Sequence, residues 1–575
     1  MRSWVRRERF ALTLVALAAV GRAACIGATH DDPLFRVPYL DGAFYHVWAR
    51  SLAQGVGDFQ GPYFLAPLYP HALSWLYRLF GADPFVARVA QSVLGVVDVA
   101  LLYLVARHLF GVLAGTLATV LFALYGTLLL YEGLLVLEPL LLTLLLSAFC
   151  ALVLMRGSAR ALVSGAALGA ATVARGTALL AAPVVVWALW NTRASGRSAS
   201  LWRREIALCF AVWFLVLLPV LVRNHRAGGG VVLTTNVGVN FYAGNGPGAN
   251  GRFRQPPGVQ FFTAPLAHVA RQDASLPSAL AERALTVEAV AGTKHAADSS
   301  AWLARSWSWI QAQPTQFLFL LARKAGLVLQ SREIGQIESP EFHRQRLAPL
   351  RLFFVDLLIL LPLAAFGASW ALRQRRPGTS MVLGFAIATL LPCVLFFVTA
   401  RYRVSAVPYL ALLAGVGAAT LVEWGRARRW GLVVAAGLLL LLLALLTRVG
   451  AAPPRSAPGW QNAQMAERVY AIGDLDGAIR YQEAAAQWLP NRMEVQLNLA
   501  LYWSERNRGE DLARAEQVLR RLLERDPRQP VVLFNLGVIL EQAGRVDEAA
   551  RAWRETLRLE PQFTPARERL RQLQR

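Results

Sequence analysis

The chain has 575 residues, 55% of them apolar, and its mean hydropathy is +0.40. This length excludes a single compact domain, and the apolar content favours a membrane protein over a soluble one. The formal net charge of +23 does not predict nucleic-acid binding, because no nucleic-acid-binding module accompanies it. All four cysteines lie inside apolar segments, so neither a disulfide nor a cysteine metal site is predicted.

Apolar runs of about 17 to 25 residues predict membrane spans, because a backbone in lipid can satisfy its polar groups only within a helix. The predicted spans are 10–28, 85–106, 112–131, 137–155, 206–222, 351–371, 380–398, 404–422 and 430–448. The apolar stretch 161–190 is interrupted by Arg175 and Gly176 and is interpreted as two short spans joined by a turn. The first run could also be a cleaved signal peptide, but its length favours an uncleaved span. The sequence thus predicts an all-α domain of about eleven spans in residues 1–450.

Arginines in the short loops predict the orientation of these spans, because cytoplasmic loops carry an excess of Lys and Arg. The arginines that fall on one side are Arg2, Arg6, Arg7, Arg9, Arg107, Arg156, Arg160, Arg193, Arg197, Arg203, Arg204, Arg373, Arg375, Arg376, Arg426, Arg428 and Arg429. We therefore expect a bacterial inner-membrane protein with a cytoplasmic N-terminus. Long outer loops are predicted at about 29–84 and 223–350.

The segment 315–330 is apolar but carries Arg323 and Lys324 in its middle. If it crossed the membrane, the three following arginine-rich loops would lie on the wrong side. It is therefore predicted to be an interfacial or re-entrant helix at the outer face.

The C-terminal part changes to charged amphipathic helix at residue 460, after a Pro-rich linker at 451–459. Small residues and prolines recur there with a period close to 34 residues, which is typical of tetratricopeptide repeats. The repeat positions are Gly473, Ala478 and Pro490, then Ala500, Ala515 and Pro527, then Gly537, Gly544, Ala549, Trp553 and Pro561. We predict an α-solenoid over 460–575, on the periplasmic side, that docks a protein partner; the alternative is a rigid spacer or cap.

Acidic groups beside the membrane are the main candidates for chemistry, because carboxylates at span ends are costly and usually functional. Asp41 lies in the first outer loop, and Glu132 and Glu138 lie in the second. These two regions could meet in one outer cavity. The Gly-rich stretch 244–251 lacks the strand-then-helix setting of a phosphate loop and is interpreted as turns.

The sequences LDGAFYHVWA at 40–49 and APLYP at 66–70 resemble the first outer loop of C-type membrane glycosyltransferases, in the branch of protein O-mannosyltransferases and aminoarabinose transferases. Three other stretches are similar to that branch: 165–183, TNVGVNFYAGNGPG at 235–248 and RYRVSAVP at 401–408. The resemblance implies transfer of a sugar from a polyprenyl-phosphate carrier to an acceptor at the outer face. Several members have Glu after the loop-one Asp where this chain has Gly42, so roles for a metal ion or a second carboxylate are in doubt there.

In this chemistry a carboxylate takes the acceptor proton while the phosphate leaves as a stable anion. We expect catalytic roles for Asp41 and Glu138. The expected substrate-binding residues are Arg401, Arg403, Arg175, Lys324 and Tyr45, with the cations meeting the carrier phosphate. The expected partners are a lipid-linked sugar donor and membrane lipids, without nucleic acid.

Two other functions stay open from the sequence. A transporter or flippase would need broken or charged helices near the bilayer midplane and an internal repeat, and only the Arg175 break is present. A non-catalytic membrane scaffold that presents the repeats would not depend on Asp41. The sugar, the acceptor, the oligomeric state and any need for a divalent metal ion do not follow from the sequence.

Overall fold

The computed structural model describes residues 2–58, 61–191, 199–254, 256, 298–450 and 457–573, with only the backbone of 2–10, 199 and 457. Its described residues divide into two compact units, one up to residue 450 and one from residue 457. The regular structure in these ranges is helical, with two isolated β-bridges and no strand. An all-α fold is therefore confirmed for the described part of the chain.

The first unit contains the helices that follow the apolar segments and loops. In chain order they are α1 (Arg2–Ala28), α2 (Pro33–Arg36), α3 (Asp41–Ala53), α4 (Leu68–Phe80), α5 (Pro84–Phe110), α6 (Val112–Ala123), α7 (Gly126–Gly133), α8 (Glu138–Leu154), α9 (Gly157–Ala174), α10 (Ala182–Asn191), α11 (Ala199–Arg226), α12 (Val237–Asn245), α13 (Ser299–Ala312), α14 (Pro314–Val328), α15 (Pro340–Arg346), α16 (Ala348–Arg351), α17 (Leu357–Arg373), α18 (Thr379–Leu395), α19 (Ala400–Arg403), α20 (Val407–Arg426) and α21 (Trp430–Leu446). Short 3-10 turns occupy Gly176–Ala181 and Val404–Ala406.

Each predicted span overlaps at least one helix, and the protein is a multi-pass membrane protein. Four described helices are long and apolar enough to cross a membrane by themselves: Ala11–Ala28, Pro84–Phe110, Ser200–Arg226 and Ala400–Arg426. A fifth is possible if α7 and α8, which are bent by 120°, count as one span. The other apolar helices are shorter, so about eleven spans stays a prediction. The break predicted at Arg175 is confirmed, since α9 ends at Ala174 and the 3-10 turn begins at Gly176.

The predicted span 112–131 is wrong as one continuous helix. α6 ends at Ala123, and the extended backbone of Tyr125 forms a parallel bridge to Val355. Gly126 lies so close to this segment that an added Cβ would stand 2.4 Å from the carbonyl oxygen of Phe353. α6 ends there because the backbone around Tyr125 forms hydrogen bonds with the segment at Val355 instead of continuing the helical hydrogen-bond pattern.

Small residues bring neighbouring membrane helices into close contact. An added Cβ at Gly367 of α17 would stand 1.9 Å from the carbonyl oxygen of Leu413 in α20, and one at Gly165 of α9 would stand 2.3 Å from that of Cys209 in α11. Such contacts favour association in lipid, where burying apolar side chains gives little advantage. These contacts fix the position of α9 relative to α11 and of α17 relative to α20.

The second unit is a series of paired helices. They are α22 (Ala457–Ala471), α23 (Leu475–Trp488), α24 (Met493–Arg506), α25 (Asp511–Arg525), α26 (Pro530–Gln542), α27 (Val546–Leu559) and α28 (Thr564–Leu573). Trp553 is fully buried and lies on Gly537, where an added Cβ would stand 2.3 Å from Nε1 of the indole. Most of the predicted linker, 451–456, lies outside the described residues.

Candidate active site

Four charged side chains from distant parts of the first unit meet at one point. Arg401 donates from Nη1 to Oδ2 of Asp41 and from Nε to Oε1 of Glu138, each at 2.7 Å. Arg175 donates from Nη2 to the same Glu138 oxygen at 2.5 Å. The structure therefore brings together the two predicted catalytic carboxylates and two of the predicted cations. We call Asp41, Glu138, Arg175 and Arg401 the charge cluster.

Helix ends position both carboxylates. Asp41 is the first residue of α3 and Glu138 the first of α8, where a negative charge complements the helix dipole. Leu40, directly before Asp41, has φ of 46° and ψ of −118°, a strained backbone for a branched residue. An added Cβ at Gly42 would stand 3.1 Å from the carbonyl oxygen of Leu135, which fits the absence of Glu at this position. The close approach of α3 to the segment before α8 brings the two carboxylates together.

The two carboxylates differ in accessibility. The Glu138 side chain is 0% exposed, and both of its oxygens accept bonds from guanidinium groups, with Arg401 Nη2 at 3.4 Å from Oε2. The Asp41 side chain is 26% exposed, and among the described residues only its Oδ2 has a hydrogen-bond partner. Asp41 can therefore receive a proton from a bound molecule, whereas Glu138 holds the two arginines in place.

An apolar cleft adjoins the charge cluster. It is narrow, with a free volume of about 20 Å³, and it is partly open to its surroundings. Its lining residues are Leu141, Leu145, Arg175, Thr177, Ala178, Ala181, Ala388, Thr389, Pro392, Tyr402 and Ser405. The guanidinium of Arg175 lies 4.9 Å from the centre of the Tyr402 ring, a cation–π contact that orients it between the cleft and Glu138. The cleft thus joins aliphatic walls to a cationic end.

Arg403 lies in a different set of contacts from Arg401. It is buried, and it donates to Glu333 and to the carbonyl oxygen of Gln330, each at 2.6 Å. Glu333 also accepts a short hydrogen bond from the hydroxyl of Tyr125. This arrangement favours a structural role for Arg403 rather than the predicted contact with the carrier phosphate.

Lys324 is fully buried on α14 and donates to Oδ1 of Asn245 at 2.6 Å. No carboxylate pairs with it among the described residues. Burial lowers the pKa of Lys324 to about 7. The structure places it beside the Gly-rich stretch, because an added Cβ at Gly251 would stand 3.3 Å from Cγ of the lysine.

Tyr45 lies one turn after Asp41 but is buried at 2% exposure, with its ring 5.1 Å from that of Tyr69. Its ring supports α3, and all four members of the charge cluster act electrostatically on its hydroxyl, so the predicted contact of Tyr45 with substrate stays a prediction. Nearby, Asp58 accepts from Nε1 of Trp48 at 2.8 Å and from the hydroxyl of Tyr63. Trp48 and Tyr63 are buried, and these bonds tie down the first outer loop.

The site residues do not fit a divalent metal ion. No group of three or more His, Cys, Asp or Glu side chains that could hold a metal occurs in the described ranges. The oxygens of Glu138 already accept from Arg401 and Arg175, which occupy the positions a cation would need. The guanidinium groups supply positive charge at this point.

Sequence reasoning missed Tyr402 and Ser405 as cleft residues. Both lie inside the stretch 401–408, whose resemblance to the glycosyltransferase branch was the available signal. Reasoning from the charges alone singled out only the arginines of that stretch.

Residues 64–222 match the family described as dolichyl-phosphate-mannose-protein mannosyltransferase, and residues 508–573 match the tetratricopeptide repeat. Both matches confirm the resemblance inferred from the motifs. No curated protein sequence shows a significant match to the chain.

Solved structures with an overall likeness include the archaeal oligosaccharyltransferase AglB from Archaeoglobus fulgidus, in complex with an inhibitory peptide and a dolichol-phosphate, at 14% identity and a TM-score of 0.44. That likeness covers 87% of this chain and 58% of AglB. ArnT from Cupriavidus metallidurans in the apo state is 16% identical, with 84% of this chain and 76% of ArnT covered and a TM-score of 0.42. ArnT bound to undecaprenyl phosphate is 15% identical, with coverages of 72% and 79% and a TM-score of 0.32.

Proposed function

We propose that this chain, whose residues 64–222 belong to the dolichyl-phosphate-mannose-protein mannosyltransferase family, is a membrane glycosyltransferase that moves a sugar from a polyprenyl-phosphate carrier to an acceptor. The observation that carries the proposal is the charge cluster at the end of an apolar cleft. A lipid-linked donor has the complementary form, with an aliphatic chain joined to one anionic phosphate.

The carrier chain lies along the aliphatic walls of the cleft, and its phosphate meets Arg175 and Arg401. Guanidinium groups bind phosphate oxygens through charge-assisted hydrogen bonds. In the structure Arg401 is shared between Asp41 and Glu138. A phosphate that binds Arg401 therefore competes with Asp41, which leaves that carboxylate available to the acceptor.

The transfer step needs one base. An acceptor hydroxyl forms a bond to the anomeric carbon of the sugar, and its proton passes to Asp41. The bond from the anomeric carbon to the phosphate oxygen breaks, and the electron pair leaves with the phosphate. That anion is stabilised by Arg401 and Arg175, so no carboxylic acid is needed to protonate the leaving group. Glu138 acts as a positioning residue through the two arginines.

The reaction takes place at the periplasmic face of a bacterial inner membrane in this proposal. All four members of the charge cluster lie at span ends or in an outer loop that the loop arginines assign to that side. The repeats are periplasmic as well and dock a protein partner, because stacked helix pairs present a concave surface. A scaffold would not need an accessible carboxylate held beside two arginines at a cleft.

The test uses purified protein in lipid nanodiscs with undecaprenyl-phosphate-mannose labelled in the sugar. Release of label from the carrier is scored, since it counts transfer to any acceptor, including water. Arg401→Ala should weaken the binding of undecaprenyl phosphate and slow release, because it removes the cation that meets the phosphate. Arg429→Ala, which removes an exposed arginine, is the matched control and should have neither effect.

Binding of undecaprenyl phosphate that is unaffected by Arg401→Ala would contradict the proposed donor site. If other sugars on the same carrier were also never released by the folded wild-type protein, the scaffold function would be favoured. Addition of a chelator should leave release unchanged, because the cations at the site belong to the protein.

A further inference from the structure

The hydroxyl of Ser405 differs from those of several other buried Ser and Thr residues in the helices of the first unit. Those hydroxyls donate to the carbonyl oxygen four residues earlier, at 2.7 to 2.9 Å: Thr119, Ser164, Thr172, Thr389 and Thr420. Ser405 is 5% exposed, and its Oγ has no hydrogen-bond partner among the described residues. A buried hydroxyl without a partner costs about 1–3 kcal/mol, so its presence calls for a ligand or a water.

The local backbone explains why Ser405 does not follow the usual pattern. It lies in the 3-10 turn Val404–Ala406, between the short helix α19 and the long helix α20. The tighter winding of a 3-10 turn moves the carbonyl four residues earlier away from the position it has in an α-helix. The hydroxyl is therefore left for another acceptor.

Ser405 lines the same cleft as Arg175 and Tyr402. Thr389 and Thr177 also line this cleft, and the Thr389 hydroxyl is already satisfied by the carbonyl oxygen of Phe385 at 2.7 Å. Besides the hydroxyls of Thr177 and Tyr402, the cleft presents two polar groups, the Arg175 guanidinium and the buried, unpartnered hydroxyl of Ser405. An anionic oxygen attached to an aliphatic chain is the ligand that satisfies both groups.

We propose that the Ser405 hydroxyl donates a hydrogen bond to a phosphate oxygen of the lipid-linked donor, beside the guanidinium of Arg175. The inference rests on the proposed function and adds a second phosphate-binding residue to it. Ser405 is a binding residue for the phosphate and takes no proton in the transfer step. Rotation about its Cα–Cβ bond is enough to direct the hydroxyl at the ligand.

The test measures the binding of undecaprenyl phosphate to purified protein in nanodiscs. Ser405→Ala should weaken binding about 10- to 150-fold, because hydrogen bonds to charged groups contribute about 1.5–3 kcal/mol. Ser405→Thr keeps the hydroxyl and should restore binding. Thr389→Val is the matched control, since it removes a hydroxyl from the same cleft that already has a backbone partner, and it should leave binding unchanged.

Two further measurements separate a phosphate contact from other roles. Undecaprenol, which has the chain but no phosphate, should bind Ser405→Ala and wild type equally. The thermal stability of the ligand-free Ser405→Ala protein should equal or exceed that of wild type, because the variant removes an unsatisfied buried group. A loss of affinity for undecaprenol equal to that for the phosphate would overturn the inference in favour of a packing role.

The failure of this inference can be distinguished from failure of the proposed function. If wild type binds undecaprenyl phosphate and Arg175→Ala weakens that binding, but Ser405→Ala does not, only the role of Ser405 is refuted. If wild type does not bind undecaprenyl phosphate, the proposed donor site fails and the inference fails with it.

Discussion

Replacing Asp41 with Asn tests which carboxylate of the charge cluster acts as the base. The amide keeps an oxygen that can accept from Arg401, as Oδ2 does now at 2.7 Å, but it removes the charge and the basic lone pairs. General-base catalysis typically contributes about 10²–10⁴-fold, so turnover at saturating donor should fall by that factor.

Donor binding should respond differently from turnover. Partly exposed ion pairs contribute about 0–1 kcal/mol, so loss of the Asp41–Arg401 pair changes the availability of Arg401 only slightly. The affinity for undecaprenyl phosphate should therefore stay equal or rise by less than about tenfold. The combination of slow transfer and intact binding is the signature of a lost base.

The assay compares wild type, Asp41→Asn and Asp31→Asn in matched amounts, with release of labelled sugar and carrier binding measured on the same preparations. Asp31 is the control because its side chain is 83% exposed and its ion-pair distance to Arg36 is 3.8 Å. If Asp41→Asn transfers sugar at a near-normal rate, Asp41 is not the base, and the reasoning from its accessibility is refuted.

Three other predictions follow from the same structure. Glu138→Gln leaves Arg175 and Arg401 without their shared carboxylate. It should therefore lower the free energy of unfolding by about 3–5 kcal/mol, measured by denaturant titration, and it should also weaken donor binding. A loss of turnover with unchanged stability would contradict the positioning role of Glu138. If Lys324 meets the carrier phosphate, as the sequence predicts, donor affinity should fall as the pH rises through about 7, because burial lowers the pKa of Lys324 to about 7 and its charge is lost above that value. A Lys324→Met protein that kept this pH dependence would exclude Lys324 as its origin. A chain that ends at residue 454 should still insert in the membrane and be recovered in detergent, because a Pro-rich linker indicates few contacts between the domains that it joins. Loss of the truncated protein from detergent extracts would show that the membrane domain needs the repeats to fold.

The sequence predicted the members of the charge cluster better than it predicted their pairing. Asp41 and Glu138 were selected as acidic groups beside the membrane, and Arg175 as the break between two spans. That Arg401 bonds to residues 360 and 263 positions earlier depends on how the helices pack, and no local periodicity contains that information. The excess of arginine in cytoplasmic loops limited the choice of candidate site residues, because it predicted that all four members of the charge cluster lie on the same side of the membrane.

The predicted role of Arg403 is not supported by its position, for a local reason. Residues two apart on a helix point in directions about 200° apart, so Arg401 and Arg403 cannot face the same ligand. Arg403 consequently lies against Glu333. Residue type and proximity in sequence identified the stretch 401–408 as part of the site. The helix geometry decided that Arg401, and not Arg403, reaches the charge cluster.

The hydropathy pattern predicted where helices lie and failed where two distant segments bond. The break at Tyr125 depends on a bridge to Val355, which lies 230 positions later in the chain. In the second unit the repeat pattern was local, so the helix pairs could be predicted from spacing alone. The turn of the middle unit, 507–510, is one residue longer than the turns 472–474 and 543–545, and Asn507 adopts a left-handed conformation in it.

Buried charge by itself does not identify a functional site in this protein. Arg22 pairs with Glu132 at 2.8 Å, with both side chains 2% exposed, and Arg160 pairs closely with Glu205 in the same way. In each of these pairs one acid meets one base and both are sealed, which is the arrangement expected of a structural contact between membrane helices. The charge cluster differs because one of its carboxylates remains accessible while the other is held by two arginines at the end of a cleft. Accessibility of a single member of a buried network is therefore the feature that separates the proposed site from the structural ion pairs around it.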